Sequence, residues 1–411
     1  MIITFKLNSM NFKNKLVLLV FVCLTSTTLS AQVSNVNNVI HKEPSTSLNL
    51  TGEIPGLEEN ELVTIYMYEF SNFDGRMNWI PIDTAIVKKG KFFFDYQLKE
   101  GPRLFMFTFS KHSKNLLSAL LGNENVRLTS KLSIDDIPPY SPFLYYRFEG
   151  SDATNDFIYS RGIKTLWGRS IAGINAEIKS YNDSATLSRS SLENIWTLIK
   201  ARAAINNAVG TQLTGSLYTR RSTAICEIFT ETAINYSQKY DSLWYRVYQN
   251  LDEDIKESYY GKIVKSYLPI MVGQAAPDFS LVTKDGKANT FKKILQQKKL
   301  TLLYLWSENS SPDTRYKFNE ELTKHYKKYF PKGLEIVNVY LGANQSKWKK
   351  LVAEEKVPGS HTIDVDGEIA NRYRIEKNDM YTLLVDQSGK IIAWEVYGAE
   401  LSGYLYKILG E

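Results

Sequence analysis

The chain has 411 residues, of which 43% are hydrophobic, 13% aromatic and 23% charged. That balance excludes an intrinsically disordered polymer, and the length suggests two or three domains. The formal charge of +6 falls to about +3 without Lys6, Lys13 and Lys15 of the first 31 residues, so nucleic acid is not an expected partner.

The first 31 residues read as a signal peptide. Those three lysines precede the apolar run "LVLLVFVCL" (16–24), and "TSTTLSA" then leads to Gln32, giving an expected cleavage near Ala31 and export to the periplasm or cell envelope. Nine apolar residues are too few to span a bilayer, which needs about 20. Cys23 follows Val22 rather than a small residue, which argues against a lipoprotein. With Cys23 lost, only Cys226 remains, so no intramolecular disulfide is expected.

Residues 45–150 read as a β-sandwich-like domain. The segments 48–54, 62–70, 82–98, 103–109 and 125–132 are rich in β-branched and aromatic residues, and are punctuated by Pro55-Gly56, Asp74-Gly75, Lys89-Gly90 and Gly122-Asn123. "LTGEIPGL", "DTAIVKKGKFFF" and "FEGSDATNDF" resemble a domain of unknown function that certain Gram-negative bacteria place ahead of thioredoxin-like modules. That resemblance implies an architecture and no chemistry.

Residues 151–270 read as helical. In 191–209, Leu192, Ile195, Trp196, Ile199, Ala203 and Ile205 fall near one face; in 223–240, Ile225, Phe229, Ala233 and Tyr236 do. Cys226 sits among apolar neighbours, which favours an inert buried thiol over a reactive one.

Residues 272–411 alternate β and α. Strands are expected at 300–306, 334–341, 381–386 and 390–397, the last two joined by a turn at Gln387-Ser388-Gly389; helices are expected at 311–330, 346–357 and 400–409. "VGQAAPDFSLVTKDGKANTF" (272–291), with a small hairpin at Asp285-Gly286, "YLWSENSSPDTR" and "LVDQSGKII" (384–392) resemble TlpA-like exported thioredoxin-fold proteins, within the thiol-disulfide oxidoreductase and AhpC/TSA-like superfamily. The whole chain is therefore expected to be multidomain α+β, with an N-terminal β-sandwich-like domain, a central helical segment and a C-terminal thioredoxin-like α/β domain.

The resemblance implies a Cys-x-x-Cys pair at the strand-to-helix junction and a cis-proline before the penultimate core strand. This sequence has Ser310 and Asp313 in place of the thiols and Met380 in place of the proline. Disulfide exchange needs a thiolate and a second thiol to resolve the mixed disulfide, and a serine hydroxyl supplies neither. The junction instead suits a helix start, with Ser311 as N-cap, Pro312 at N1, Asp313 at N2 and capping-box spacing from Ser310 to Asp313. A competing reading is an acid or nucleophile site of Glu308, Ser310 and Asp313, which would need a base from His41, His112, His325 or His361.

No phosphate loop, zinc-ligand spacing or other cofactor motif is present, so no cofactor and no metal are expected. The leading expectation is a redox-inactive module that binds a protein or peptide partner in the envelope of a Gram-negative bacterium. The alternative is a thiol-disulfide oxidoreductase-family enzyme acting through Cys226 or a partner's thiol.

Overall fold

The computed structural model describes residues 45–70, 77–138, 145–184, 186–215, 222–235, 241–282, 288–375 and 380–411. The leader at 1–31, His41, and the turns at 74–75 and 285–286 lie outside the described residues. So does the 236–240 end of the second expected helix.

The N-terminal strands are β1 (Leu48–Glu53), β2 (Leu62–Phe70), β3 (Met77–Ile86), β4 (Lys91–Tyr96), β5 (Arg103–Phe109), β6 (Leu117–Leu121), β7 (Asn125–Ser130) and β8 (Tyr146–Glu149). They form two four-stranded sheets, ordered β4-β1-β7-β8 and β3-β2-β5-β6. Alternation decides which side chains enter the core: Val63, Ile65 and Met67 from β2 and Phe92 and Phe94 from β4 all point inward. Phe92 meets Phe109 at 6.4 Å and Phe94 meets Phe107 at 6.3 Å, so aromatic pairs hold one sheet on the other. The expected segment 82–98 is two strands, because Lys88 pairs with Lys91 around a turn with Lys89 and Gly90 at positive φ. Strands β6 and β8 have no counterpart among the sequence expectations. Gly52 lies under the Phe92 ring, whose carbons would stand 2.0 Å from an added Cβ.

The middle of the chain forms α1 (Asp152–Ser180), α2 (Arg189–Gly215), α3 (Thr223–Asn235), α4 (Ser242–Gln249), α5 (Glu253–Lys256) and α6 (Tyr259–Tyr267). The side chain of Ser151 accepts from Thr154 N and caps α1, while Thr154 Oγ1 donates to Leu120 O at 2.7 Å and ties the helix to β6. The hydroxyls of Tyr259 and Tyr260 accept from Phe70 N and Leu104 N, each at 2.9 Å. Arg103 donates to Tyr68 O and lies 3.6 Å from the centre of the Tyr259 ring. On α2, Leu192, Ile195 and Ile199 are buried as expected, but Ala203 is exposed and Leu198 and Ala201 are buried instead. The buried stripe is wider than a single face because α2 packs on both α1 and the C-terminal helix.

The C-terminal part contains β9 (Ser280–Val282), β10 (Ala288–Thr290), α7 (Phe291–Gln297), β11 (Leu300–Trp306), α8 (Pro312–Tyr329), β12 (Leu334–Tyr340), α9 (Gln345–Glu355), β13 (Ser360–Ile363), α10 (Glu368–Arg372), β14 (Tyr381–Asp386), β15 (Ile391–Trp394) and α11 (Gly398–Leu409). Its five-stranded sheet has the order β13-β12-β11-β14-β15. Strands β11, β12 and β13 run parallel, and β14 and β15 run antiparallel through the 387–389 turn. Every residue of β11 and β12 is buried, as strands covered on both faces must be. This is a thioredoxin-like fold. The whole is a mixed α/β protein with a strand-rich N-terminal domain, central helices and a thioredoxin-like C-terminal domain.

Apolar packing runs across these parts. One buried cluster joins Leu120, Trp167, Phe229, Trp244, Tyr267, Leu303 and Trp394, and Trp394 Nε1 donates to Ile270 O at 2.8 Å. Among the described residues, no helix is long and apolar enough to cross a membrane.

Candidate functional site

Strand β11 ends at Trp306 and α8 starts at Pro312, so Ser307 to Ser311 form the connection. Ser310 lies in it, 6% exposed, and its Oγ has no hydrogen-bond partner. Ser311 occupies the N-cap position, with Pro312 at N1 and Asp313 in the first turn. Its hydroxyl makes no capping bond, however, and with Ser310 Oγ unbonded the expected capping box does not form. What Ser311 supplies is its carbonyl, which accepts from Arg315 N at 3.0 Å.

Arg315, which the sequence reading does not single out, holds the connection in place. Its Nη1 donates to the carbonyls of Ser310 at 2.5 Å, Glu308 at 3.1 Å and Ser307 at 3.4 Å. Its Nε and Nη2 donate to Glu355 Oε1 at 3.2 and 2.9 Å, and Asn319 Nδ2 donates to Glu355 Oε2 at 2.8 Å. The guanidinium thus satisfies carbonyls that a tight turn would leave orphaned, and α9 supplies its counter-charge.

Glu308 has partners on β12 and α9. Its Oε2 accepts from Tyr340 Oη at 3.1 Å and pairs with Lys347 Nζ. The Lys347 hydrogen bond holds this carboxyl below its usual range, whereas burial pushes the Tyr340 hydroxyl up to about 12. Among the described residues, no side-chain hydrogen bond joins Glu308, Ser310 and Asp313 to one another. The described histidines have other partners: His112 Nδ1 meets Glu61 at 2.9 Å, His325 Nε2 lies 3.4 Å from Ser402 Oγ, and His361 Nε2 lies 3.0 Å from Val357 O. Among the described residues, no base is hydrogen-bonded to Ser310 Oγ.

Met380 opens the approach to β14 beside aromatic rings. Tyr304 Oη donates to its sulfur at 3.3 Å, and Tyr397 Oη donates to its carbonyl at 3.0 Å. Tyr304 stacks on Trp306 at 6.2 Å and meets Phe318 edge-on at 5.1 Å. Burial raises the Tyr304 hydroxyl. The peptide bond ahead of Met380 lies outside the described residues.

Cys226 lies in α3, 1% exposed, in the apolar cluster that includes Ile225, Phe229 and Trp244. Burial pushes its thiol up to about 12. A neutral, enclosed thiol is a poor nucleophile and a poor leaving group.

Residues 272–394 match the AhpC/TSA family, and residues 48–157 match a domain of unknown function, DUF4369. No curated protein matches the chain. Similar solved structures include the thioredoxin domain of a thiol-disulfide oxidoreductase from Bacteroides vulgatus, 24% identical, covering 34% of this chain and 97% of that one, with a TM-score of 0.31. A thiol:disulfide interchange protein from Bacteroides sp. is also 24% identical, covering 34% and 91%, with a TM-score of 0.31. A thiol-disulfide oxidoreductase from Bacteroides fragilis is 24% identical, covering 33% and 100%, with a TM-score of 0.31.

Proposed function

We propose that this protein is an exported, TlpA-like member of the thioredoxin-fold group that no longer exchanges disulfides and serves as a protein- or peptide-binding module of the Gram-negative cell envelope. The observation that carries the reading is Ser310 and Asp313 at the start of α8, where a redox-active relative would hold its two thiols, with the one described thiol sealed in α3. Met380, in place of the family's proline, fits a groove released from its redox role. The leader-like sequence of residues 1–31 supports export, and the division at 45–150, 151–270 and 272–411 belongs to the same proposal.

The chemistry supports a scaffold that is kept while its reaction is lost. Exchange needs an attacking sulfur and a resolving sulfur within reach of each other. A serine hydroxyl is hardly ionised near neutrality and forms no disulfide. The Asp313 carboxylate would repel a developing anion beside it.

Reduction of insulin by dithiothreitol, followed by turbidity, tests the reading. The purified protein is expected to leave the rate at that of the reductant alone. Catalysis that disappears in Cys226→Ala would overturn the proposal and favour an enzyme acting through that thiol. Fractionation of the source cells tests the location, and recovery in the cytoplasm would remove the envelope assignment.

A further inference from the structure

Beside α8 lies an open groove of about 1060 Å³, running from Met380 and Tyr397 along the helix toward Tyr329. Its second wall comes from the central segment: Tyr181 and Asn182 of the turn after α1, and Leu192 of α2, line it. That wall is fixed, because Asn182 Oδ1 accepts from Ala399 N at 2.7 Å at the start of α11. The groove exists only because the helical segment is packed against the thioredoxin-like part.

The charges in it are uneven. Lys317, Lys324 and Lys328 lie seven and four residues apart along α8, so they line one side of the groove. None of the three is paired with an acidic side chain among the described residues, whereas Lys347 and Lys298 elsewhere have Glu308 and Glu335. Glu321, the half-buried acid of this wall, stands 3.4 Å from His325 Nε2. With Glu320, the other acid, exposed on the same helix, three lysines against two glutamates leave the lining with one positive charge in excess. Phe318 and Tyr329 lie buried at the base of the groove, and the half-buried Tyr181, Leu187, Met380 and Tyr397 give it its apolar surface.

We infer that this groove is the docking site for a segment of a partner protein in which acidic residues alternate with apolar ones. The inference rests on the binding-module reading and deepens it by naming the surface and the chemistry of the partner. The apolar side chains of such a segment would cover the half-buried apolar lining while its carboxylates met Lys317, Lys324 and Lys328, the last of which lies 5.0 Å from the centre of the Tyr329 ring. A preformed wall on each side lowers the ordering cost of binding. The volume is at the upper end of small-molecule pockets, which suits several residues of peptide.

The test is fluorescence anisotropy with a labelled twelve-residue peptide alternating Glu with Phe and Leu, beside its counterpart with Lys for Glu. The protein is expected to bind the acidic peptide and not the basic one, with affinity falling as salt rises. Lys324→Glu with Lys328→Glu should weaken binding about tenfold, since two exposed charge contacts are lost. The charge-matched control Lys88→Glu with Lys349→Glu should leave it unchanged, and thermal melts should confirm that both variants fold. Absence of binding, preference for the basic peptide, or equal losses in the two variants would overturn the inference. Capture from the native envelope separates it from its parent reading. Equal recovery of a partner by wild type and the Lys324/Lys328 variant removes the groove and leaves the binding module standing. If no partner is recovered, the parent reading is weakened and the peptide titration alone decides the groove.

Discussion

Arg315 and Glu355 form an ion pair at 2.9 Å, with side chains 5% and 13% exposed, and through it α9 fixes the loop that leads into α8. Breaking a buried pair by removing one partner costs about 3 to 5 kcal/mol, since the other charge is left uncompensated. Arg315→Met is expected to lose that much in urea unfolding, because three loop carbonyls lose their donor as well. Arg315→Met combined with Glu355→Leu should lose clearly less than the two single variants added together. Strict additivity would show that the two side chains are not energetically coupled.

Much of the thioredoxin-like part is legible in the sequence because its signals are local. The continuous apolar runs of β11 and β12, the turn at 387–389 and the amphipathic α8 each announce themselves within a few residues. Strand β13, with only Thr362 fully buried, and the four-residue β8 are too short to carry a pattern of their own, and they exist because a neighbouring strand offers a ladder. The helix start at Ser311, Pro312 and Asp313 is legible in the sequence, yet the side-chain capping bonds expected of Ser310 and Ser311 do not form. The device that holds the junction is a long-range one: in the sequence Arg315 is indistinguishable from a solvated helix charge, and only the fold brings Glu355 of α9 to it from 40 residues on. The groove is invisible in the sequence for the same reason, since its walls come from separate parts of the chain.

Cys226 should resist alkylation in the folded protein. With its thiol pushed up to about 12 by burial, almost no thiolate exists at pH 8, and access is closed as well. Iodoacetamide at pH 8 is expected to label it only after denaturation, with a native rate at least about a hundredfold slower as read by mass spectrometry. The linkage has a defined sign. The folded-state value lies above the ordinary thiol value of 9.0, so the unfolded chain releases its proton first as pH rises. The stabilisation is therefore complete below about pH 8.5 and is lost as pH rises toward 12. Cys226→Ala should flatten the fall in stability above pH 9. An unchanged alkaline slope would mean that Cys226 does not contribute to it.

Asn182 caps α11 from outside, across the junction between the central helices and the thioredoxin-like part. An N-terminal capping contact is worth about 1 kcal/mol, so Asn182→Ala should destabilise by that amount and speed amide exchange at Ala399. Gly398 is constrained by the same contact. Its φ is +54, and an added Cβ would lie 2.4 Å from Asn182 Oδ1. Gly398→Ala should therefore cost more than the Asn182 change, and making it in the Asn182→Ala background should recover part of the loss. Equal destabilisation in both backgrounds would show that backbone strain alone sets the cost.

Introducing two thiols tests whether Ser310 and Asp313 stand where a redox pair would. Ser310→Cys with Asp313→Cys, made in a Cys226→Ala background, places two sulfurs three residues apart at the start of α8, a spacing that lets a disulfide close. The change also removes the one carboxylate of the first turn, leaving the positive end of the helix to favour a thiolate at position 310. Mild oxidation should therefore remove both free thiols without dimer formation, as read by thiol titration and mass spectrometry. On the proposed reading Met380 stands in place of the relatives' proline, so insulin reduction should still remain weak; its sulfur accepts from Tyr304 Oη. Two thiols that stay free under oxidant would separate these positions from the redox pair of the relatives. Vigorous insulin reduction would show instead that the two thiols were all that the scaffold lacked.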